Sequence, residues 1–122
     1  MFPSYQDIIQ ATSAETAKLR AEMPDTLKGF TAMAQAAGKP GVLDAKTKEL
    51  IAMALSVSVR CDPCLGYHAK ALVKLGCTRE ELVEMLAMAV YMGGGPSLMY
   101  AARASAAYDE FAAAKAGAGP AA

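Results

Sequence analysis

Two cysteines and the only histidine of the chain lie close together, and their types suit thiol chemistry. Cys61 and Cys64 are separated by two residues, and His68 follows Cys64 by four. Pro63 suits the first turn of a helix. In a helix that begins there, the two cysteines and the histidine fall within roughly 60° of one another around the axis. The three side chains are therefore predicted to face one small site.

The start of a helix activates a thiol only weakly. A free thiol, with a pKa of about 8.5, is a few per cent thiolate at neutral pH, and the thiolate is the reactive species. A helix N-terminus favours an anion by about 0.3–1 kcal/mol, which corresponds to less than about one pKa unit. Because this is too little, a nearby base is needed. His68, one turn after Cys64, is the candidate for direct or water-mediated proton transfer.

Glu49 is the last charge before the apolar stretch that leads to the cysteines. It lies twelve residues before Cys61. Carried into the interior, its carboxylate could orient His68 or hold a proton for it. A straight helix would place Glu49 about 18 Å from Cys61 along the axis, so the next helix must fold back alongside. The alternative is an ordinary surface carboxylate beside Lys46 and Lys48.

The spacing of these residues resembles the signature of the alkyl hydroperoxidase D family, within the wider carboxymuconolactone decarboxylase-like superfamily. The four matching residues are Glu49, Cys61, Cys64 and His68. The resemblance covers roughly residues 43–102, including a Met-Gly-Gly-Gly-Pro break at residues 92–96. Four residues at fixed spacing are far more specific than a Cys-x-x-Cys motif alone.

The resemblance implies an all-α fold, a homotrimer or homohexamer, and a peroxidase that needs neither a cofactor nor a metal. Its substrate would be a hydroperoxide, and an external dithiol or protein disulfide reductant would restore it. By position, Cys64 resembles the attacking cysteine and Cys61 the proton donor and resolving cysteine. His68 and Glu49 resemble the proton relay. Hydroperoxidase members often carry a histidine where this chain has Pro63, so its rate and redox potential are expected to differ.

Four other functions fit the same residues less closely. A non-redox enzyme of the superfamily, such as a decarboxylase of a small lactone, would use only His68 and Glu49. A disulfide reductase could serve a partner peroxiredoxin, and a stress-related binding or assembly protein could carry vestigial chemistry. A zinc module would use Cys61, Cys64 and His68, with either Glu49 or Cys77. Outside that module, Cys77 is expected to be a partly buried bystander.

The bulk composition indicates one soluble domain and gives no sign of a nucleic-acid or membrane partner. The chain has 122 residues, of which 54% are hydrophobic and 20% charged. Lys+Arg and Asp+Glu both number 12, so no net field favours nucleic acid or a membrane. We expect no signal peptide and no membrane span. The protein is predicted to be cytoplasmic, where thiols are kept reduced and a cysteine pair is a poor structural staple.

Helix-forming residues dominate and alternating β-branched runs are nearly absent, which predicts an all-α fold. Capping residues and glycine or proline breaks divide the chain into about six helices. We predict helices from Ser4 to about Glu22, from Asp25 to Gly38, over residues 45–59, from near Pro63 to Gly76, from Thr78 to the Gly93–Pro96 break, and over residues 97–114. Residues 1–115 are predicted to form a single domain and residues 116–122 a flexible tail.

Overall fold

The computed structural model describes residues 2–117, and over this range the chain forms six α-helices and no strand. The all-α prediction is confirmed. The helices are α1 (Tyr5–Glu22), α2 (Pro24–Gly38), α3 (Ala45–Val59), α4 (Asp62–Lys74), α5 (Arg79–Gly93) and α6 (Gly95–Gly117). No helix of the described range is long and apolar enough to cross a membrane. The last helix includes the first two residues of the predicted tail; residues 118–122 lie outside the described range.

Three of the predicted helix starts are confirmed by side-chain caps. The hydroxyl of Ser4 accepts a hydrogen bond from the backbone N–H of Asp7 at the start of α1. The carboxylate of Asp44 does the same for α3. Thr78 precedes α5 and forms a complete capping box with Glu81. The hydroxyl of Thr78 accepts from the backbone N–H of Glu81, and the carboxylate of Glu81 accepts from the backbone N–H of Thr78. These caps satisfy N–H groups that the helix itself leaves without partners.

The start of α2 differs from the prediction. Met23 precedes the helix without a side-chain cap, and Asp25 lies inside the first turn instead of at the cap position. Pro24 explains the shift, because its fixed φ suits the first helical position and it has no N–H that needs a partner.

Two glycines end helices in conformations that other residues rarely adopt. Gly76 has φ 77°, and its N–H donates to the carbonyl of Val73 while that of Cys77 donates to Leu72. This pair of bonds closes the end of α4. Gly94, with φ 72° and ψ −152°, separates α5 from α6 in a region of conformational space open almost only to glycine.

The last helix begins two residues earlier than predicted. It starts at Gly95 instead of Ser97, and Pro96 occupies its first turn. The N–H of Leu98 donates to the carbonyl of Gly94. Proline is tolerated in the first turn, where no N–H donor is needed and no carbonyl of a preceding turn meets its ring.

The core surrounds α4, which packs against α1, α3 and α6. Its inward side chains Leu65, Ala69 and Leu72 are fully buried. Gly66 allows α1 to approach closely, since a Cβ added there would lie 2.5 Å from the side chain of Ile9. The carboxylate of Glu110 on α6 accepts bonds from the first turn of α1. Helix α4 is therefore packed against three other helices of the chain.

Helix α3 is central on one face only. Met53 and Val57 are fully buried. On the opposite face Ile51 and Leu55 are 46% and 59% exposed, because the buried face alone packs on other helices of the chain. One side of α3 thus remains open and apolar.

Candidate redox site

The turn between α3 and α4 reverses the direction of the chain. Arg60 ends α3 in the left-handed conformation, with φ 59° and ψ 55°. The N–H of Cys61 then donates to the carbonyl of Ser56 at 3.1 Å. A non-glycine residue rarely adopts this conformation, and it reverses the backbone within one residue. As a result α4 folds back alongside α3, as the proximity of Glu49 and His68 requires.

Cys61 and Cys64 are joined by a disulfide at the start of α4, with 5.2 Å between their Cα atoms. Cys61 is the N-cap residue of the helix, and its sulfur accepts a hydrogen bond from the N–H of Cys64 at 3.2 Å. Both cysteines are partly exposed. The sulfur atoms therefore lie at the positive end of the helix dipole, which favours a thiolate when the bond is reduced.

Glu49 and His68 are brought together across the interface of α3 and α4. The Oε2 atom of Glu49 lies 2.6 Å from Nδ1 of His68, and the two side chains are 29% and 32% exposed. An ionised carboxylate can only accept, so Nδ1 carries the proton of this bond. The other ring nitrogen, Nε2, is then free to exchange a proton with another group. His68 lies one helical turn after Cys64, on the same side of α4.

The lysines that flank Glu49 are engaged elsewhere. Lys46 forms an ion pair with Glu81 of α5 at 2.6 Å. Lys48 donates to the backbone carbonyls of Ala37 and Lys39 at the end of α2. The carboxylate of Glu49 is therefore a partner of the histidine and not of its neighbours on the helix.

Cys77 stands apart from the redox pair. It is buried and free, and its sulfur contacts the carbonyl of Thr78 at 3.4 Å. Burial raises the pKa of its thiol, which disfavours the reactive thiolate. Between residues 2 and 117, no group of three or more histidine, cysteine, aspartate or glutamate side chains is arranged to hold a metal ion. Cys61 and Cys64, which the zinc alternative would use as ligands, are joined to each other in a disulfide.

A polar cluster at the start of α4 was not predicted. Asp62, between the two cysteines, accepts a bond from the hydroxyl of Tyr5 at 3.3 Å and one from Arg103 at 3.1 Å. The guanidinium of Arg103 also lies over the rings of Phe2 and Tyr100, 5.5 and 5.3 Å from their centroids. The available signal in the sequence was a lone arginine in the alanine-rich stretch of the last helix.

A groove lies elsewhere, between α1, α4 and α6. Its volume is about 890 Å³, and none of the four predicted site residues lines it. Its lining includes the apolar side chains Ile9, Val73 and Phe111 and the cations Lys70 and Lys74. The redox pair and the Glu49–His68 pair thus do not depend on this groove.

The comparisons with known proteins agree with the fold. Residues 24–119 match the family model described as the carboxymuconolactone decarboxylase family. An uncharacterised protein of Cupriavidus necator is 43% identical over 86 residues, which are 70% of this chain and 76% of the relative. An uncharacterised protein of Paracoccus denitrificans is 32% identical over 100 residues, covering 82% and 87% of the two chains. The chain belongs to the carboxymuconolactone decarboxylase family.

Two solved structures of this family are similar over almost their full length. A Legionella pneumophila protein of the family is 57% identical, with a TM-score of 0.87, and the match covers 88% of this chain and 96% of that one. A Thermotoga maritima protein of the family is 28% identical, with a TM-score of 0.82, and the match covers 92% and 96%. The Thermotoga protein has a suggested role in the antioxidative response.

Proposed function

We propose that this protein is a thiol-dependent peroxidase that reduces organic hydroperoxides through a Cys61–Cys64 dithiol/disulfide cycle. The observation that carries the proposal is the hydrogen bond between Glu49 and His68, one turn from a disulfide at a helix start. A redox-active pair needs a nearby group that moves protons. The suggested antioxidative role of the Thermotoga maritima relative is consistent with this function.

The oxidative half of the cycle uses two steps. The thiolate of Cys64 attacks the terminal oxygen of the hydroperoxide, the O–O bond breaks, and Cys64 becomes a sulfenic acid. The alkoxide leaves as an alcohol after it takes a proton from the relay of His68 and Glu49. The sulfur of Cys61 then attacks the sulfenic sulfur; the S–S bond forms and water leaves. The peroxide gains two electrons and the two thiols lose them.

The reductive half restores the dithiol. A thiolate of an external dithiol, or of a protein disulfide reductant, attacks the Cys61–Cys64 disulfide and forms a mixed disulfide. The second thiol of the donor then displaces the protein sulfur, so the donor leaves as a disulfide. Both cysteines are partly exposed, which gives such a donor access.

The lactone decarboxylase alternative uses the same histidine and glutamate without the thiols. It has the family name in its favour. The disulfide between Cys61 and Cys64 favours the redox function. A double Cys61→Ser, Cys64→Ser variant separates the two, because the redox function requires total loss of turnover and the lactone reaction requires none.

The direct test is titration of the reduced protein with one equivalent of cumene hydroperoxide, followed by mass-spectrometric mapping of the cysteines. The expected product is an intramolecular Cys61–Cys64 disulfide with Cys77 still free. If both motif thiols remain free after peroxide, the proposed function is wrong.

Single serine variants test the two roles. Cys64→Ser is expected to abolish turnover, whereas Cys61→Ser should leave a sulfenic acid at Cys64 that dimedone traps. Cys77→Ser is the matched control and should react like the unaltered protein. A trapped sulfenic acid at Cys61 in the Cys64→Ser variant would reverse the assignment.

We also propose that the chain functions as a homo-oligomer, through exposed apolar side chains on α3 and α5. They are Ile51, Leu55, Val59, Met88, Tyr91 and Met92, each of which is exposed in the single chain. Clusters of this kind on a surface mark contacts between proteins. In light scattering after gel filtration, Leu55→Glu should lower the molar mass, while Leu19→Glu on α1 should not. A monomeric unaltered protein would contradict the proposal.

A further inference from the structure

Asp62 places a negative charge between the two cysteines. Its neighbours in the chain are Cys61 and Pro63, and it lies in the first turn of α4. A carboxylate beside a thiol disfavours the thiolate, because like charges repel. A site that needs a reactive thiolate must therefore offset this charge.

The offsetting charge is Arg103 on α6, which reaches across to α4. Its guanidinium lies 3.1 Å from Oδ1 of Asp62, and the two side chains are 34% and 32% exposed. The guanidinium also lies over the rings of Phe2 and Tyr100, and these cation–π contacts add to the ion pair in favouring this position of Arg103. A partly buried pair of this kind is screened less than a fully exposed one.

Tyr5 completes the cluster from α1. Its hydroxyl donates to the same oxygen of Asp62 at 3.3 Å. Burial raises the pKa of this phenol above its ordinary value of 10.0, so the hydroxyl is neutral at pH 7 and can donate. It stabilises the carboxylate without adding a charge.

Other charged groups lie on the helices that pack around α4. The carboxylate of Glu110 on α6 accepts from the backbone N–H groups of Tyr5 and Gln6. Arg60 ends α3 one residue before Cys61, and it is exposed. Glu49 from α3 is bonded to His68. Arg103 is therefore the cation that the structure places in direct contact with the carboxylate between the cysteines.

We propose that Arg103 is a positioning residue that, by holding and neutralising Asp62, sets how readily the Cys64 thiol ionises and how strongly the pair oxidises. The inference rests on the redox cycle proposed above, but not on the identity of its substrate. A more stable thiolate favours the reduced form, so the pair becomes a stronger oxidant. The two members of the ion pair must therefore act in opposite directions.

The test compares Asp62→Asn with Arg103→Gln. Two quantities are measured without any peroxide: the pH dependence of Cys64 alkylation, and the disulfide equilibrium with a glutathione buffer. Asp62→Asn should increase the thiolate fraction at pH 7 and the equilibrium population of dithiol by about three- to tenfold. Arg103→Gln should decrease both by a similar factor, and the double variant should lie near the unaltered protein.

A merely structural role would move both single variants in the same direction, because both break the same ion pair. That result, or no shift in either variant, would overturn the inference. Arg103→Lys retains the charge and should stay near the unaltered values. If Arg103→Gln does not fold, Arg103→Lys and Asp62→Asn together test the inference.

Arg79→Gln is the matched control. It breaks the ion pair with Asp109 between α5 and α6, and it should leave both measured quantities unchanged. If Asp62→Asn and Arg103→Gln shift the two quantities in opposite directions but the protein consumes no peroxide, the proposed peroxidase function is wrong and this inference still holds.

Discussion

Replacing Glu49 by glutamine tests the proton relay with the smallest change in shape. Glutamine can still accept the hydrogen bond from Nδ1 of His68, but the negative charge is lost. A hydrogen bond to a charged group contributes about 1.5–3 kcal/mol, and a neutral one roughly half of that. The side chains of Glu49 and His68 are 29% and 32% exposed, so water replaces part of the lost interaction. We therefore expect Glu49→Gln to remove about 1 kcal/mol of stabilisation, toward the lower end of the difference between a charged and a neutral hydrogen bond.

This cost converts directly into a rate. Each 1.36 kcal/mol of barrier is about a factor of ten, so Glu49→Gln should slow thiol oxidation about fivefold. Glu49→Ala also leaves Nδ1 without an acceptor and should slow it about ten- to hundredfold. The measurement is loss of free thiol after the reduced protein is mixed with cumene hydroperoxide, quenched at successive times.

The control is Glu84→Gln, which neutralises an exposed carboxylate on α5 and should change nothing. Thermal unfolding of each variant checks that the fold is intact. If both Glu49 variants oxidise within twofold of the unaltered rate while folded, the carboxylate has no part in the relay.

Three further predictions concern stability and reactivity. The side-chain bond with Lys46 lowers the pKa of Glu81 below its ordinary value of 4.5. The ionised carboxylate therefore stabilises the folded state fully above about pH 4.5, and this contribution disappears as the pH falls through the lowered pKa. Glu81→Gln should therefore flatten the acid limb of a urea-unfolding stability profile, and an unchanged limb would contradict this. Gly66→Ala should destabilise the fold by about 1–2 kcal/mol in urea unfolding, because the added methyl group meets Ile9; an equally stable variant would show that α1 moves freely. In the reduced protein at pH 7, iodoacetamide should label the motif cysteines well before Cys77, whose thiol pKa is raised by burial; equal labelling rates would show that Cys77 is not shielded.

The helices could be predicted closely because their signals are local. A cap such as Ser4 or Asp44 and a stop such as Gly76 act within one turn, and these three were confirmed. The two shifted helix starts both involve proline, which the prediction treated as a break. Structurally, Pro24 and Pro96 lie inside first turns, where their missing N–H costs nothing.

The candidate site could be predicted only in part. Spacing along one helix was enough to group Cys61, Cys64 and His68. The contact with Glu49 depends on the left-handed conformation of Arg60, which no residue type at that position signals. The ion pair of Asp62 with Arg103 joins residues 41 apart in the sequence, and such a pair follows only from the packing of α6 on α4.

Cys61 is the N-cap residue of α4, so it affects the stability of this helix as well as the redox chemistry. The N-cap position of a helix is best filled by serine, threonine, aspartate or asparagine, whose oxygen accepts a backbone N–H. In α4 the acceptor is the sulfur of Cys61, and sulfur is a weak acceptor. The start of this helix therefore relies on contacts from other helices, such as those of Tyr5 and Arg103 to Asp62.

It follows that Cys61→Ser, which removes the resolving thiol, should strengthen the cap. Under reducing conditions, urea unfolding should show Cys61→Ser to be about 1 kcal/mol more stable than Cys61→Ala. The reduced unaltered protein should lie between these two variants. If serine proves no better than alanine, the sulfur of Cys61 has no role as a cap, and the order at the start of α4 comes from the Asp62 cluster alone. If serine stabilises as expected, the reactive sulfur occupies a position where serine would give a stronger helix start.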